Sequence, residues 1–263
     1  MKLPHAIKRA PSPLAVLIDP DGIGAAGSAQ HLQGLGFGHI LHLAHPAAPD
    51  LNLPHVTRLP FLAQTRQDLA RALGQVFHRA AGKWVYWGFA GEALHFPHDD
   101  SRKIQDYLAF LDEEAHSAAP SLLIDLYPKH QTDPLLDTDN CWFDSAGYYC
   151  DPAEGYRRAC YGGLRHRMGQ HLPAEMQILN RPRLFRTGRI DWDEDLGAPP
   201  PYRSDVDVPP SCCVLSWRAA MALQTLPSAA REGVRFHWPQ SQAWQGNWRA
   251  LPPLGLMHLG KWF

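Results

Sequence analysis
Apolar runs of strand length alternate with stretches of helical spacing through the first half of the chain. Residues 14–18 (LAVLI) form an unbroken apolar run, and Asp19-Pro20-Asp21-Gly22 behind them is a turn sequence. The spacing predicts a helix over 24–34 and a second strand over 39–43 (HILHL). Strand, helix and strand in that order imply a parallel pair joined by a crossover. A proline-rich connection covers 46–60, with a short extended piece at 59–62. Thr65 then caps a helix over 66–81, with Asp68 three residues on in a capping-box arrangement. Leu69, Leu73, Val76 and Phe77 give it one apolar face, and Gly82 ends it. Residues 84–89 (WVYWGF) read as a buried strand. A loop over 92–100 follows, then a helix carrying Ile104, Leu108 and Leu111 on its buried side, for which Asp99, Asp100 or Ser101 is the expected cap. Residues 121–127 (SLLIDLY) form another strand.

Beyond Pro128 the periodicity stops, and Gly, Pro, Tyr and Trp are scattered among charges. Short strands and loops covering one end of the sheet are expected there. Residues 193–210 read as an exposed acidic loop, 214–226 as a short helix or strand, and the apolar end (PLGLMHLGKWF) as a docked segment. The fold class is therefore α/β, a central and mostly parallel sheet flanked by helices, with an irregular C-terminal half. A single domain is expected, with a flexible lead-in over 1–13, an α/β half over 14–127 and an irregular half over 128–263.

Composition narrows the function classes. The 263 residues are 45% hydrophobic, enough for a sizeable core. A formal net charge of −1 gives no bulk attraction to nucleic acid. No apolar run reaches the roughly 20 residues of a membrane span, and the basic N-terminal stretch lacks a signal peptide's apolar segment, so a cytoplasmic protein is expected. The five cysteines are odd in number, irregularly spaced and without C-x-x-C, which argues for reduced thiols in or near the core.

Several clusters have chemical potential. In open α/β sheets ligands sit beyond the carboxyl ends of the strands, which points to the loop with Glu92, His95, His98, Asp99 and Asp100. Histidines and carboxylates can hold a divalent metal, with His95 and His98 the candidates, but the spacing matches no standard ligand motif. His39, His42 and His45 share a strand, and alternation puts His42 on the opposite face from the other two. Gly22-x-Gly24-x-x-Gly27 has the form of a dinucleotide fingerprint, but no acid ends the second strand to meet a ribose; the other reading is close helix–sheet packing. Residues 155–167 (GYRRACYGGLRHR) place Arg157, Arg158, Arg165 and Arg167 around a Gly-Gly turn, suited to phosphate oxygens or to pairing with nearby acids.

The order of these pieces resembles a bacterial branch of glycosyltransferase family 2, over roughly residues 60–170. The segments that carry the resemblance are the helix 66–81, Trp84-Val85, Leu122-Leu123-Ile124-Asp125-Leu126-Tyr127-Pro128, Phe143-Asp144-Ser145-Ala146-Gly147-Tyr148 and Gly162-Gly163-Leu164-Arg165-His166-Arg167. The terminal Leu256-Met257-His258-Leu259-Gly260-Lys261 is similar to the family's late His-x-x-Lys strand. The resemblance implies a GT-A fold, a nucleotide-sugar donor and a divalent ion, Mn or Mg, held by an Asp-Ala-Asp-Glu motif. Aligned on Trp84-Val85, the two ion-holding aspartates fall on Phe89 and Gly91, and only Glu92 survives. Three functions are compatible with that. One is a degenerate transferase-like binding or scaffold subunit without a cofactor, taking a nucleotide sugar or a partner protein. A second is an active transferase with Glu92 or Asp144 as general base, in which Arg157, Arg158, Arg165, Arg167, His258 and Lys261 bind substrate, or in which His95, His98, His258 and Glu92 rebuild a metal site. The third is an unrelated nucleotide-dependent α/β enzyme.

Overall fold
The computed structural model describes residues 6–151, 159–189, 192 and 211–259. Within the expected lead-in, a short helix α1 (Ala6–Arg9) docks with Ile7 fully buried. Strand β1 (Leu14–Asp19), helix α2 (Ala25–Leu35), β2 (His39–Ala44) and β3 (Val56–Pro60) follow, and β1, β2 and β3 pair in parallel. Helix α3 (Arg66–Arg79) carries the expected capping box: Thr65 Oγ1 accepts from the Asp68 N–H at 3.1 Å, and the Asp68 carboxylate accepts from the Thr65 N–H at 3.1 Å. Its amphipathic face leads into β4 (Trp84–Phe89), which joins β1 on the other side, again in parallel.

After a turn at Ala90-Gly91 the chain reverses into β5 (Glu92–His95). A loop was expected here, and the observed strand is stabilised by a partner remote in sequence. Helix α4 (Ile104–Glu113) is preceded by Lys103, whose N–H donates to Asp106 at 2.9 Å. Asp99 and Asp100 are therefore not its caps; they face His95 and Arg249 instead. Strands β6 (Ala118–Ala119), β7 (Ser121–Asp125), β8 (Tyr127–Pro128), β9 (Cys141–Asp144), β10 (Tyr149–Cys150) and β11 (Cys160–Tyr161) come next. Helix α5 (Gly163–Arg167), β12 (Leu184–Arg186), β13 (Cys212–Ser216), helices α6 (Arg218–Gln224) and α7 (Ser228–Arg231), and β14 (Ser241–Ala243) complete the described elements. The stretch 214–226 is thus a strand end and a helix in succession.

The central sheet has the order β3-β2-β1-β4-β12-β6, parallel through its first four strands and antiparallel at β12. Alternation along β1 sends Leu17 to the face covered by α2 and α4 (Leu32, Tyr107, Leu111) and Val16 to the face covered by α3 (Leu73, Val76). A second sheet, β5-β13-β7, and a third, β14-β9-β8, share an apolar cluster in the C-terminal half that includes Leu123, Phe143, Leu215 and Trp248. Cys150 and Cys160 face each other across β10 and β11 and form a disulfide. This corrects the expectation of five reduced cysteines: residues ten apart in sequence become direct neighbours once the hairpin forms. Cys141, Cys212 and Cys213 are free and buried. Among the described residues no helix is long and apolar enough to cross a membrane.

Candidate functional site
Glu92 stands where the two larger sheets separate. Backbone bonds at this seam fix it: Ala90 N–H donates to Ile18 O at 2.7 Å, and Trp217 N–H donates to Gly91 O at 3.0 Å. The Glu92 side chain is 2% exposed and folds back on β4. Its Oε2 accepts from the Phe89 N–H at 2.8 Å, and its Oε1 accepts from Ser216 Oγ at 3.2 Å and Arg183 Nη2 at 3.3 Å. Both oxygens are engaged, so the group is rigidly held and badly placed to take a proton from a ligand.

Gly24 shows why the glycines of the first turn are needed. It has φ +81°, and a Cβ there would meet the Gly91 nitrogen at 2.9 Å. Gly22 donates its N–H to Asp19 Oδ1 at 2.7 Å, and Asp19 in turn pairs with buried His42 at 2.9 Å. The turn is built for contact between helix and sheet. His39 faces Thr57 at 3.1 Å, away from His42, as strand alternation requires.

On one side of Glu92 lies a cavity of about 340 Å³, reached past the first turn of α3. Arg66, Arg165, Arg181, Arg183 and Arg218 line it, against Glu92 as the one carboxylate among the described residues. Trp87 and Phe89 supply an apolar wall, and the Arg183 guanidinium lies 4.1 Å from the Trp87 ring centre. Arg183 is 5% exposed; one of its terminal nitrogens meets Glu92, and the other, Nη1, is buried without a hydrogen-bond partner among the described residues. Such an atom is expensive to leave unmatched, and an acceptor brought within reach of it would remove that cost.

Two of the motif arginines, Arg165 and Arg167, have partners already. Arg165 makes a forked pair with Asp125, with Nη2 2.7 Å and Nε 2.9 Å from Oδ1. Its backbone N–H also donates to Asp125 Oδ2 at 2.9 Å. Gly163 permits this: a Cβ there would sit 3.1 Å from Asp125 Oδ2, at a φ of +69°. Arg167 pairs with Asp144 at 2.8 Å, and Asp144 also accepts from Trp238 Nε1 at 2.8 Å and from the Tyr127 hydroxyl. Two polar lattices, one around Asp125 with Arg165 and one around Asp144 with Arg167, thus tie together three of the segments that carry the resemblance. Arg165 keeps a face on the cavity, whereas Arg167 is turned to Asp144.

Across Glu92 lies a second cavity, about 510 Å³, lined by His31, His95, Trp217, Trp244 and leucines. His95 Nδ1 is 2.6 Å from Asp99, and His31 Nε2 is 2.7 Å from Leu94 O. Burial pushes the His31 imidazole down to about 4, and the neighbouring His95 adds to the effect.

The sequence-derived residues are only partly brought together. His98 packs its ring 4.8 Å from Trp248, and His258 is exposed in the C-terminal segment. Glu92, His95, His98 and His258 do not converge, and the described residues contain no group of three or more His, Cys, Asp or Glu placed to hold a metal. Arg157, Arg158 and Lys261 lie outside the described residues. Sequence reasoning missed Arg66, Arg181, Arg183, Arg218 and His31. The Arg181-x-Arg183 alternation was the available signal, since it places two arginines on one face of an extended segment.

No family model matches the chain, and no curated protein matches it. Among solved structures, a UTP-bound UGPase from Acinetobacter baumannii aligns over 66% of this chain and 72% of that one, at 10% identity and a TM-score of 0.31. A likeness that shallow carries no argument about activity.

Proposed function
We propose that this chain is a glycosyltransferase family 2-like protein that binds the diphosphate of a nucleotide sugar on arginines and acts as a binding or scaffold subunit. The ion expected of that family does not fit the residues present. Phe89 offers a ring and Gly91 no side chain where carboxylates are required, and Glu92 is committed to Phe89, Ser216 and Arg183. The reading rests on Arg183: a buried guanidinium with an unmatched nitrogen, in a cavity with four further arginines. Guanidinium forks match phosphate oxygens in shape and charge and so replace the cation. Calorimetry with UDP and UDP-glucose in the presence of a chelator tests this. Binding is expected without metal and unchanged by added manganese; binding that appears only with manganese would overturn the reading.

A second reading, an active transferase, draws on Glu92 bordering both cavities. In that case the acceptor hydroxyl would have to displace a donor already on Glu92 before losing its proton there. Incubating the protein with a nucleotide-sugar panel and measuring free nucleotide separates the two. The binding reading expects no release above the uncatalysed rate.

A further inference from the structure
We propose that the histidine-lined cavity is a separate site for a neutral, hydroxyl-bearing ring of pyranoside type, gripped by one ring nitrogen each from His31 and His95. A carbonyl oxygen only accepts, so the 2.7 Å contact with Leu94 O places the proton of His31 on Nε2 and leaves Nδ1 as an acceptor. The 2.6 Å contact with the Asp99 carboxylate likewise places a proton of His95 on Nδ1, so that in the neutral ring Nε2 is the acceptor. Neither remaining nitrogen bonds to another described residue. The two rings are 5.1 Å apart between centres, close enough for adjacent hydroxyls of one ring to reach both.

The rest of the lining favours the same class of ligand. Among the described residues no lysine or arginine lines this cavity, so nothing there offers an anion a positive charge. Leu136, Leu215, Trp217 and Trp244 offer apolar surface for C–H groups, and the volume of about 510 Å³ lies in the range of small-molecule sites. Trp244 also meets the His95 ring nearly edge-on at 5.5 Å, which limits its rotation. A ring with apolar faces and hydroxyls at its edge satisfies both sets of groups. The inference is independent of the diphosphate reading, because the two cavities share only Glu92.

The test follows the ring nitrogens of His31 and His95 by long-range ¹H–¹⁵N NMR on the full chain. The probes are the methyl pyranosides of glucose, galactose and N-acetylglucosamine, with inorganic phosphate as the charged control. At least one pyranoside is expected to shift both acceptor nitrogens saturably, and phosphate neither. His95→Phe should weaken that response at least tenfold while leaving the response to UDP unchanged; His31→Phe serves the same purpose if the first variant does not fold. Three results would overturn the inference: no response to any pyranoside, a stronger response to phosphate, or full retention of the response in the folded variant.

Discussion
The two cavities on either side of Glu92 share a wall and little of their chemistry. Among the described residues five arginines line one, and the other has two histidines and no lysine or arginine. In the first, Arg165 and Arg218 are held by acids behind the wall, Asp125 and Asp21, so the arginines are fixed before any ligand arrives. In the second, the tautomers are fixed by Asp99 and Leu94, so the site offers acceptors instead of charge. The contrast teaches that the end of a sheet does not dictate the ligand. Which donors and acceptors are left over after the fold has used its own share decides it.

The largest expected effect comes from breaking the lattice behind the arginine cavity. Asp125→Ala strands the buried Arg165 guanidinium and should cost about 3–5 kcal/mol in urea unfolding. A loss under about 1 kcal/mol would mean that the fork carries little of the stability.

Acid should next expose the histidine cavity. The imidazole of His31 is held at about 4, against 6.5 in its ordinary state, so the unfolded chain takes up that proton first. This contribution to stability is complete above about pH 6.5 and is lost as the pH falls towards 4, at up to roughly 1.4 kcal/mol per pH unit. His31→Gln should flatten the pH dependence across that window; an unchanged slope would assign it to other groups.

Arg183→Met should then weaken UDP binding about tenfold, roughly 1.4 kcal/mol, without changing pyranoside binding. Equal loss at both sites would show that the cavities are not independent. The smallest effect is expected from Thr65→Ala, about 1 kcal/mol of stability from the lost cap of α3, read by thermal unfolding.

Much of the fold could be read in advance because its signals are local. The apolar runs at 14–18 and 84–89 and the Thr65–Asp68 box state their structure within a few residues, and all three are found. Strand β5 was not legible, since Glu92–His95 has no strand pattern of its own and is held by pairing with β13, more than a hundred residues away. The same applies to the disulfide, which depends on a hairpin register. Of the site, Glu92, Arg165 and His95 were legible by residue type and neighbourhood. Arg183 and Arg218 were missed: the Arg181-x-Arg183 alternation was a faint signal, and the segment before β12 and the start of α6 reach the cavity only through the folded topology. The basic turn around Gly162-Gly163 left pairing with nearby acids open, but only the folded topology names Asp125 and Asp144 as the acids that take up two of its arginines.

A crystal structure of the protein with UDP, grown with a chelator, tests the central claim most directly. The account expects the diphosphate in the arginine cavity, with a phosphate oxygen in hydrogen-bond reach of Arg183 Nη1 and no ion between phosphate and protein. Diphosphate bound away from Arg183, or bridged to the chain by a cation when manganese replaces the chelator, would contradict it.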